Sequence, residues 1–509
     1  MVRGVVSRFR LLRGGTPLGE LLDRLAEVHG NRRLVEQPDP IQGTAGRTAL
    51  TYREAAHLVV GWSGDLRARC HGGRRIVVAG PNDYGFFLAC LAVARAGGVV
   101  VPVNPRMRED EVAHVVRDAD AELVEVASLP AVDLGDPSAV EPSPPEPPAD
   151  DVAGIFYTSG TTGRPKGARL THRALVDAAA PGVLWPSRLR RDEVVVSLPI
   201  AHIMGFASLL GAAGAGVPVW FLPRFSPRVV LDAIERRRAT AFIGVPAMYQ
   251  MMLEAGAEQR DLSSVRVWVS AADVMPADVA LRFKRMGATV TLPVVGRAIG
   301  EAAFAQGYGT VELGGAVSAK VSPPGTALGL GDVLGLNLLG NRMKIVDECG
   351  ADVPAGEVGE LLVKGPHALR GYHGDSERTS AAVDAEGWVR TGDLARRGRF
   401  GLVHFAGRKK DVLMHGGYSV YPPEVEEALR SHPDVAEAAV VGRADRVKGE
   451  VPVAFVRLAD GAGTSPEDIV AWAREHLADY KAPVEVRVVD DLPRTGTGKV
   501  AKHELRERL

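Results

Sequence analysis

For about the first 400 residues, short β-branched apolar runs alternate with helix-like segments, and this alternation confines the chain to layered α/β architecture. The run at 75–78 leads to an apolar helical stretch at 84–95 and then to a second run at 98–103. The order returns at 194–198, 217–222, 241–245 and 265–270, with helical segments at 227–238 and 276–286. Strands joined through helices pair largely in parallel. Near Gly340 the texture changes: 342–346, 359–364 and 402–406 are short runs between glycine-rich turns, as in a small antiparallel, barrel-like unit. After Gly407 come a helix at 423–431, strands at 436–441 and 452–457, and a helix at 466–477. The expected fold is α/β. A large N-terminal domain over 1–407 carries layered sheets plus the barrel-like unit, and a small α+β domain spans 408–509. Between them in character is the segment 130–151, whose seven prolines read as a surface linker.

Composition narrows the class of partner. At 509 residues the chain exceeds what one core organises, and 46% hydrophobic with 24% charged residues is ordinary for a globular protein. A net charge of -1 gives no electrostatic reason for nucleic-acid or anionic-membrane binding. Cys70, Cys90 and Cys349 form no CxxC pair, so neither a disulfide framework nor a zinc site is expected, and a reducing cytoplasm fits. The first fifteen residues lack the apolar core of a signal peptide. Residues 201–222 are long enough to span a bilayer, but their Gly and Ala content, His202 and Pro218 read as a helix followed by a buried strand.

Four short segments carry the chemistry. Residues 157–168, YTSGTTGRPKGA, concentrate hydroxyl side chains and glycines around Lys166, the first lysine of the chain. Glycines let the backbone approach a ligand, amides and hydroxyls surround an anion, and the ammonium adds a point charge, which together make a polyphosphate cradle. The spacing is not that of a Walker A loop. In 306–312, QGYGTVE, an aromatic can stack on a base and Glu312 can hold magnesium together with phosphate oxygens. In 388–394, WVRTGDL, Asp393 can accept from a ribose diol, and GRKKD at 407–411 supplies Arg408 as a second contact. In 492–502, LPRTGTGKVAK, Gly496 and Gly498 place Lys499 on a flexible arm that could be delivered to a reacting phosphate. Taken singly, the last three are also what ordinary solvated turns or a basic tail show.

Together, in this order and spacing, the four segments resemble the adenylate-forming superfamily, which includes acyl-CoA synthetases, peptide-synthetase adenylation domains and luciferases. Supporting stretches are LPIAHIMGF, SAADVMP, GELLVKGPHALRGY and GGYSVYPPEVEEAL. The resemblance implies ATP, Mg2+ and coenzyme A as reactants or cofactors. It implies that Thr158, Ser159, Gly160, Thr161, Thr162, Gly163 and Lys166 hold the β- and γ-phosphates, and that Glu312 is the metal ligand. Ser270, Ala271, Ala272 and Asp273 would border the adenine, with Tyr308, Gly309, Thr310 and Val311 completing the nucleotide site. Asp393 and Arg408 would grip the ribose, and Lys499 would neutralise charge at the α-phosphate. Lys410 matches a hinge about which a mobile C-terminal domain turns, and Gly416, Gly417 and Tyr418 match a strand lining the pantetheine channel. His202 matches the residue between acyl and nucleotide pockets, with Phe206, Val245, Val295 and Gly307 at the acyl pocket.

The implied reaction joins a carboxylic acid to coenzyme A through an acyl adenylate. A carboxylate is ionised at neutral pH, so its attack on the α-phosphate needs positioning and charge neutralisation rather than a base. Two positions depart from the pattern. Val311 stands where threonine is usual, losing a hydroxyl, and Ala271 stands where glycine is usual. A variant weak in adenylation but able to thioesterify a ready-made adenylate is therefore one alternative. A stand-alone enzyme that loads a carrier protein is another, and a non-catalytic nucleotide or acyl binder a third. The segments expected at the acyl pocket are small and apolar, with Arg297 their only charge, so an amino acid is disfavoured and a fatty, aryl or polycyclic acid is expected. A homodimer is compatible with the sequence.

Overall fold

The computed structural model describes residues 11, 15–70, 73–134, 147–158, 165–177, 191–291, 298–338, 340–495 and 499–509. Most of the proline-rich segment falls outside these residues. Contacts divide the chain into two compact units: 1–331 with 335–342 and 363–389, and 332–334 with 343–362 and 390–509. The boundary expected at 407/408 falls inside the second unit, at the end of the strand Val403–Arg408.

The first unit is built on two sheets. One has nine strands, with six parallel neighbours at its centre: Ala303–Thr310, Val267–Ala271, Ala241–Gly244, Val194–Val196, Val219–Phe221 and Arg33–Glu36. Antiparallel strands close both ends, Gly315–Ser322 and Leu336–Asn337 on one side and Ala49–Thr51 on the other. The other sheet runs in the order Glu122–Glu125, Arg75–Ala79, Val99–Pro102, Val152–Thr158 and Lys166–Thr171. Its last pair is antiparallel. The expected run 201–222 resolves into the helix Ile203–Ala215 and the strand Val219–Phe221.

Local chemistry explains where the elements begin and end. The Asp83 carboxylate accepts from the Phe86 amide at 2.9 Å and so caps the helix Tyr84–Arg95, all twelve residues of which are buried. Proline at the first turn starts the helices Pro227–Arg237, Pro246–Glu254, Pro422–Arg430 and Pro466–His476, where its missing N–H costs nothing. Aromatic rings then join the layers. Phe206 meets Phe87 and Phe156 edge-on at 5.2 and 5.4 Å, and Tyr84 meets Phe221 at 6.3 Å, linking both sheets through two helices. A second nest of Phe242, Tyr249, Trp268, Phe283 and Phe304 seals one face of the large sheet.

The second unit holds most of a four-stranded sheet of Arg342–Val346, Val358–Lys364, Val389–Arg397 and Val403–Arg408. Beside it in sequence lies a five-stranded sheet centred on the long pair Val435–Asp445 and Gly449–Leu458, with its own core of Val425, Leu429, Val440, Ala454 and Ile469. Among the described residues no helix is long and apolar enough to cross a membrane.

Candidate active site

Two paired strands flank the segment expected to cradle phosphate. Val152–Thr158 and Lys166–Thr171 pair with Thr158 opposite Lys166 and Tyr157 opposite Gly167. Lys166 thus opens a strand rather than a helix, and the ammonium itself, not a helix dipole, supplies the positive charge beside the loop. Gly167 is required by packing: a Cβ there would lie 2.6 Å from Ile155 Cγ2 and 3.0 Å from the Tyr157 ring. Ser159, Gly160, Thr161, Thr162 and Gly163 lie outside the described residues. The cradle strand ends in Thr171, which caps the short helix His172–Val176, and burial pushes the His172 imidazole down to about 4. Its Nδ1 accepts from the Leu18 amide at 3.0 Å.

A segment not singled out for chemistry in the sequence joins this hairpin to Glu312. Residues 369–373 run beside 167–169: Arg370 N donates to Arg169 O (2.8 Å), Arg169 N to Gly371 O (3.1 Å) and His373 N to Gly167 O (2.8 Å). Leu369 N donates to Glu312 O at 2.8 Å, and the Tyr372 hydroxyl donates to Glu312 Oε1 at 2.9 Å. The Lys166 ammonium stands 5.5 Å from the centroid of the same Tyr372 ring. Burial and the adjacent Glu312 charge push the Tyr372 hydroxyl upward in pKa, so it remains a donor at neutral pH. Glu312 is half-buried, and the described residues contain no cluster of three or more metal-ligating side chains. A single carboxylate with one oxygen engaged suits magnesium, which takes its other ligands from phosphates and water.

The nucleoside side holds two surprises. Gly309 has a packing reason besides any nucleotide contact: a Cβ there would lie 1.8 Å from Gly315 O, so the hairpin itself demands glycine. In the segment expected to border adenine, Ala271 ends its strand opposite Gly307, whereas Ala272 has a φ of 75°. The left-handed region costs a non-glycine residue about 1 kcal/mol or more, so the strain sits one residue beyond the substitution the sequence flags. Ser270 is fully buried on the Trp268 side, beneath the loop, and Asp273 is exposed. Val311 is buried in the turn Val311–Leu313, while Thr310 and Tyr308 are half-buried on the preceding strand.

Acyl-side expectations separate on inspection. His202 Nδ1 accepts from the Met204 amide at 3.3 Å and caps the helix Ile203–Ala215, so it has a folding role besides any contact with ligand. Phe206 is fully buried among Phe87 and Phe156, which makes it a core residue that solvent does not reach. Val245, 5% exposed, precedes the helix Pro246–Glu254. Val295 and Arg297 lie outside the described residues. Gly307 belongs to a wider surface. On three central strands the face opposite Phe242, Trp268 and Phe304 consists of Ala241, Ile243, Val267, Val269, Ala303, Ala305 and Gly307, all half-buried. The centre of a nine-stranded sheet is usually sealed on both faces; here one face is a partly open apolar floor of small side chains.

In the second unit, Asp393 and Arg408 are register partners on adjacent strands, with Arg408 Nε 3.5 Å from the buried Asp393 carboxylate. Lys410 is exposed between two tethers: Lys409 pairs with Glu360 at 3.2 Å and Asp411 with Arg506 at 2.9 Å. Gly416 and Gly417, expected on a strand, are instead the two-residue turn between Leu413–His415 and Tyr418–Val420. Their φ values of 58° and 86° are what such a turn requires. Tyr418 is exposed and stacks on Tyr480 at 4.6 Å. Next to Lys499, Thr495 N donates to Lys499 O at 2.7 Å, and Arg494 bridges Val500. The Arg494 guanidinium holds Glu437 at 3.0 and 2.7 Å, and Arg457 holds the same carboxylate at 2.7 Å. The arm expected to be flexible therefore has a fixed stem, although Gly496 and Gly498 lie outside the described residues.

The chain matches the family described as AMP-binding enzyme over residues 22–373 and the AMP-binding enzyme C-terminal domain over 424–499. It is 35% identical to a feruloyl-CoA synthase of Amycolatopsis sp, covering 94% of this chain and 98% of that one. It is 31% identical to an indoleacetate–CoA ligase of Aromatoleum aromaticum, covering 96% and 98%. Its fold is similar to that of ATP-bound MatB from Rhodopseudomonas palustris, with a TM-score of 0.81, 28% identity and coverage of 96% and 98%. The chain belongs to the AMP-binding enzyme family, in its acid–CoA ligase branch.

Proposed function

We propose that this ligase forms the CoA thioester of a largely apolar carboxylic acid by way of an acyl adenylate. Its reaction class is that of an ATP-dependent, AMP-forming acid–thiol ligase, with ATP, coenzyme A and a small-molecule acid as substrates and Mg2+ as cofactor. The observation that carries the apolar preference is the half-open floor of Ala241, Ile243, Val269, Ala305 and Gly307, which offers no charge to pair with a substrate amine. Relatives named for feruloyl and indoleacetate groups support an acid of this kind.

In this reading Lys166 holds the outgoing pyrophosphate, Glu312 is the magnesium ligand, and Asp393 with Arg408 holds the ribose. Magnesium, when bound, neutralises phosphate charge. Lys499 acts at the α-phosphate during adenylation, Lys410 is the hinge for its withdrawal, and Gly416, Gly417 and Tyr418 border the thiol's channel. A cytoplasmic location fits the buried free thiols of Cys70 and Cys90, and a homodimer is the assembly we propose. A second reading rests on Val311: its buried side chain has no hydroxyl to offer the α-phosphate, which favours slow adenylation with intact thioesterification.

Incubating the enzyme with ATP, Mg2+, CoA and a panel of aryl, polycyclic, fatty and amino acids tests the proposal. AMP release and thioester formation with the first three classes is the expected result. Turnover confined to amino-bearing acids would sink the apolar assignment.

A further inference from the structure

Tyr372 was not among the site residues expected from the sequence, yet it touches both halves of the phosphate chemistry. It is only 8% exposed and is held on several sides. Its amide donates to Thr379 Oγ1 at 2.9 Å, that hydroxyl donates to Asp375 O at 2.6 Å, and its backbone bridges Ala168 on the cradle strand. From this fixed base its hydroxyl reaches Glu312 Oε1 at 2.9 Å, while the Lys166 ammonium stands over its ring. The same segment also holds the Glu312 backbone, through Leu369 N at 2.8 Å.

The choice of donor matters. An arginine or lysine at this point would cancel the carboxylate charge that a divalent cation needs, whereas a neutral phenol orients the group and leaves its charge intact. A glutamate free to rotate loses side-chain entropy on binding a metal; one already held by a hydrogen bond loses less. Filling the space alone would require only phenylalanine. On the ligase reading above, we infer that Tyr372 is a positioning residue for the metal–nucleotide. Its hydroxyl locks Glu312 so that Oε2 is left for the divalent cation, and its ring fixes the spacing of Lys166 from that carboxylate.

The test uses Mn2+ and α,β-methylene-ATP, which cannot form an adenylate, with metal binding followed by electron paramagnetic resonance. Tyr372→Phe weakens Mn2+ binding in the ternary complex about tenfold, while nucleotide affinity in EDTA is unchanged. Tyr372→Leu, lacking the ring as well, also weakens nucleotide binding in EDTA. In a Glu312→Gln background the Phe substitution adds no further loss, which separates action through Glu312 from a general folding defect. Melting temperatures of wild type and Tyr372→Phe stay within a few degrees. Equal Mn2+ affinity in wild type and Tyr372→Phe, or the same loss with Glu312→Gln already present, overturns the inference and leaves the ligase reading standing. A wild-type protein that binds no metal–nucleotide removes both.

Discussion

Two lysines stand in different settings, one in each compact unit: Lys166 opens a paired strand, and Lys499 adjoins an isolated bridge between Arg494 and Val500. Lys166 lies at the head of a strand that pairs with Val152–Thr158 through one register shift, the strand is flanked on its other side by 369–373, and the Lys166 ammonium stands over the Tyr372 ring. Lys499 adjoins the bridge from Arg494 to Val500, and Arg494 is held by its ion pair with Glu437. The first arrangement fits a group that holds phosphate throughout a reaction; the second fits a group that is presented and then withdrawn.

Replacing each lysine should separate the jobs most sharply. Lys499→Ala lowers the rate of adenylation about 100- to 1,000-fold yet leaves thioester formation from synthetic adenylate near wild type, as measured in the two half-reactions. Lys166→Ala mainly raises the KM for ATP, by about tenfold. Equal losses in both half-reactions for Lys499→Ala would erase the distinction.

Acid should weaken the cradle unit before the other. The neutral His172 ring accepts from Leu18, and its folded pKa of about 4 lies below the ordinary 6.5. Its contribution is therefore complete above about pH 6.5 and is lost as pH falls through 4, a change of about 3 kcal/mol. Melting temperature followed over that window should fall less steeply in His172→Gln than in wild type; identical slopes would assign the acid sensitivity elsewhere.

Smaller effects probe the scaffolds. Gly167→Ala, which crowds Ile155 and Tyr157, destabilises the cradle unit by about 2 kcal/mol and raises the KM for ATP, both visible in thermal melts with and without nucleotide. Glu437→Gln frees the Lys499 stem and reduces adenylation by less than tenfold at unchanged KM for ATP. A rise in that KM instead would mean that Glu437 serves nucleotide binding.

Much of this was readable in the chain, and the exceptions share a cause. Strands and helices with strong apolar patterns, such as Arg75–Ala79, Tyr84–Arg95 and Ala277–Met286, lie where periodicity puts them. Lys166–Thr171 and Val389–Arg397 hold parts of segments read as loops or turns because they are rich in Gly, Thr and charge; partner strands, not propensity, make them extended. Asp393 and Arg408 were paired in the sequence reading and meet across two strands. Tyr372 escaped because its partner Glu312 is sixty residues away and its own segment looks like a loop. Ala272 escaped because φ is a property of the folded backbone, whereas the neighbouring Ala271 could be flagged from the pattern alone.

Acid-dependent exchange of labelled pyrophosphate into ATP is the most direct test that the Lys166 hairpin and Lys499 serve adenylation. Exchange is predicted in wild type with an apolar aryl or polycyclic acid, absent without acid, and lost in Lys499→Ala. No exchange with any acid, in an enzyme that still converts synthetic acyl adenylate and CoA to thioester, would contradict the account and leave thioesterification as the activity of this chain.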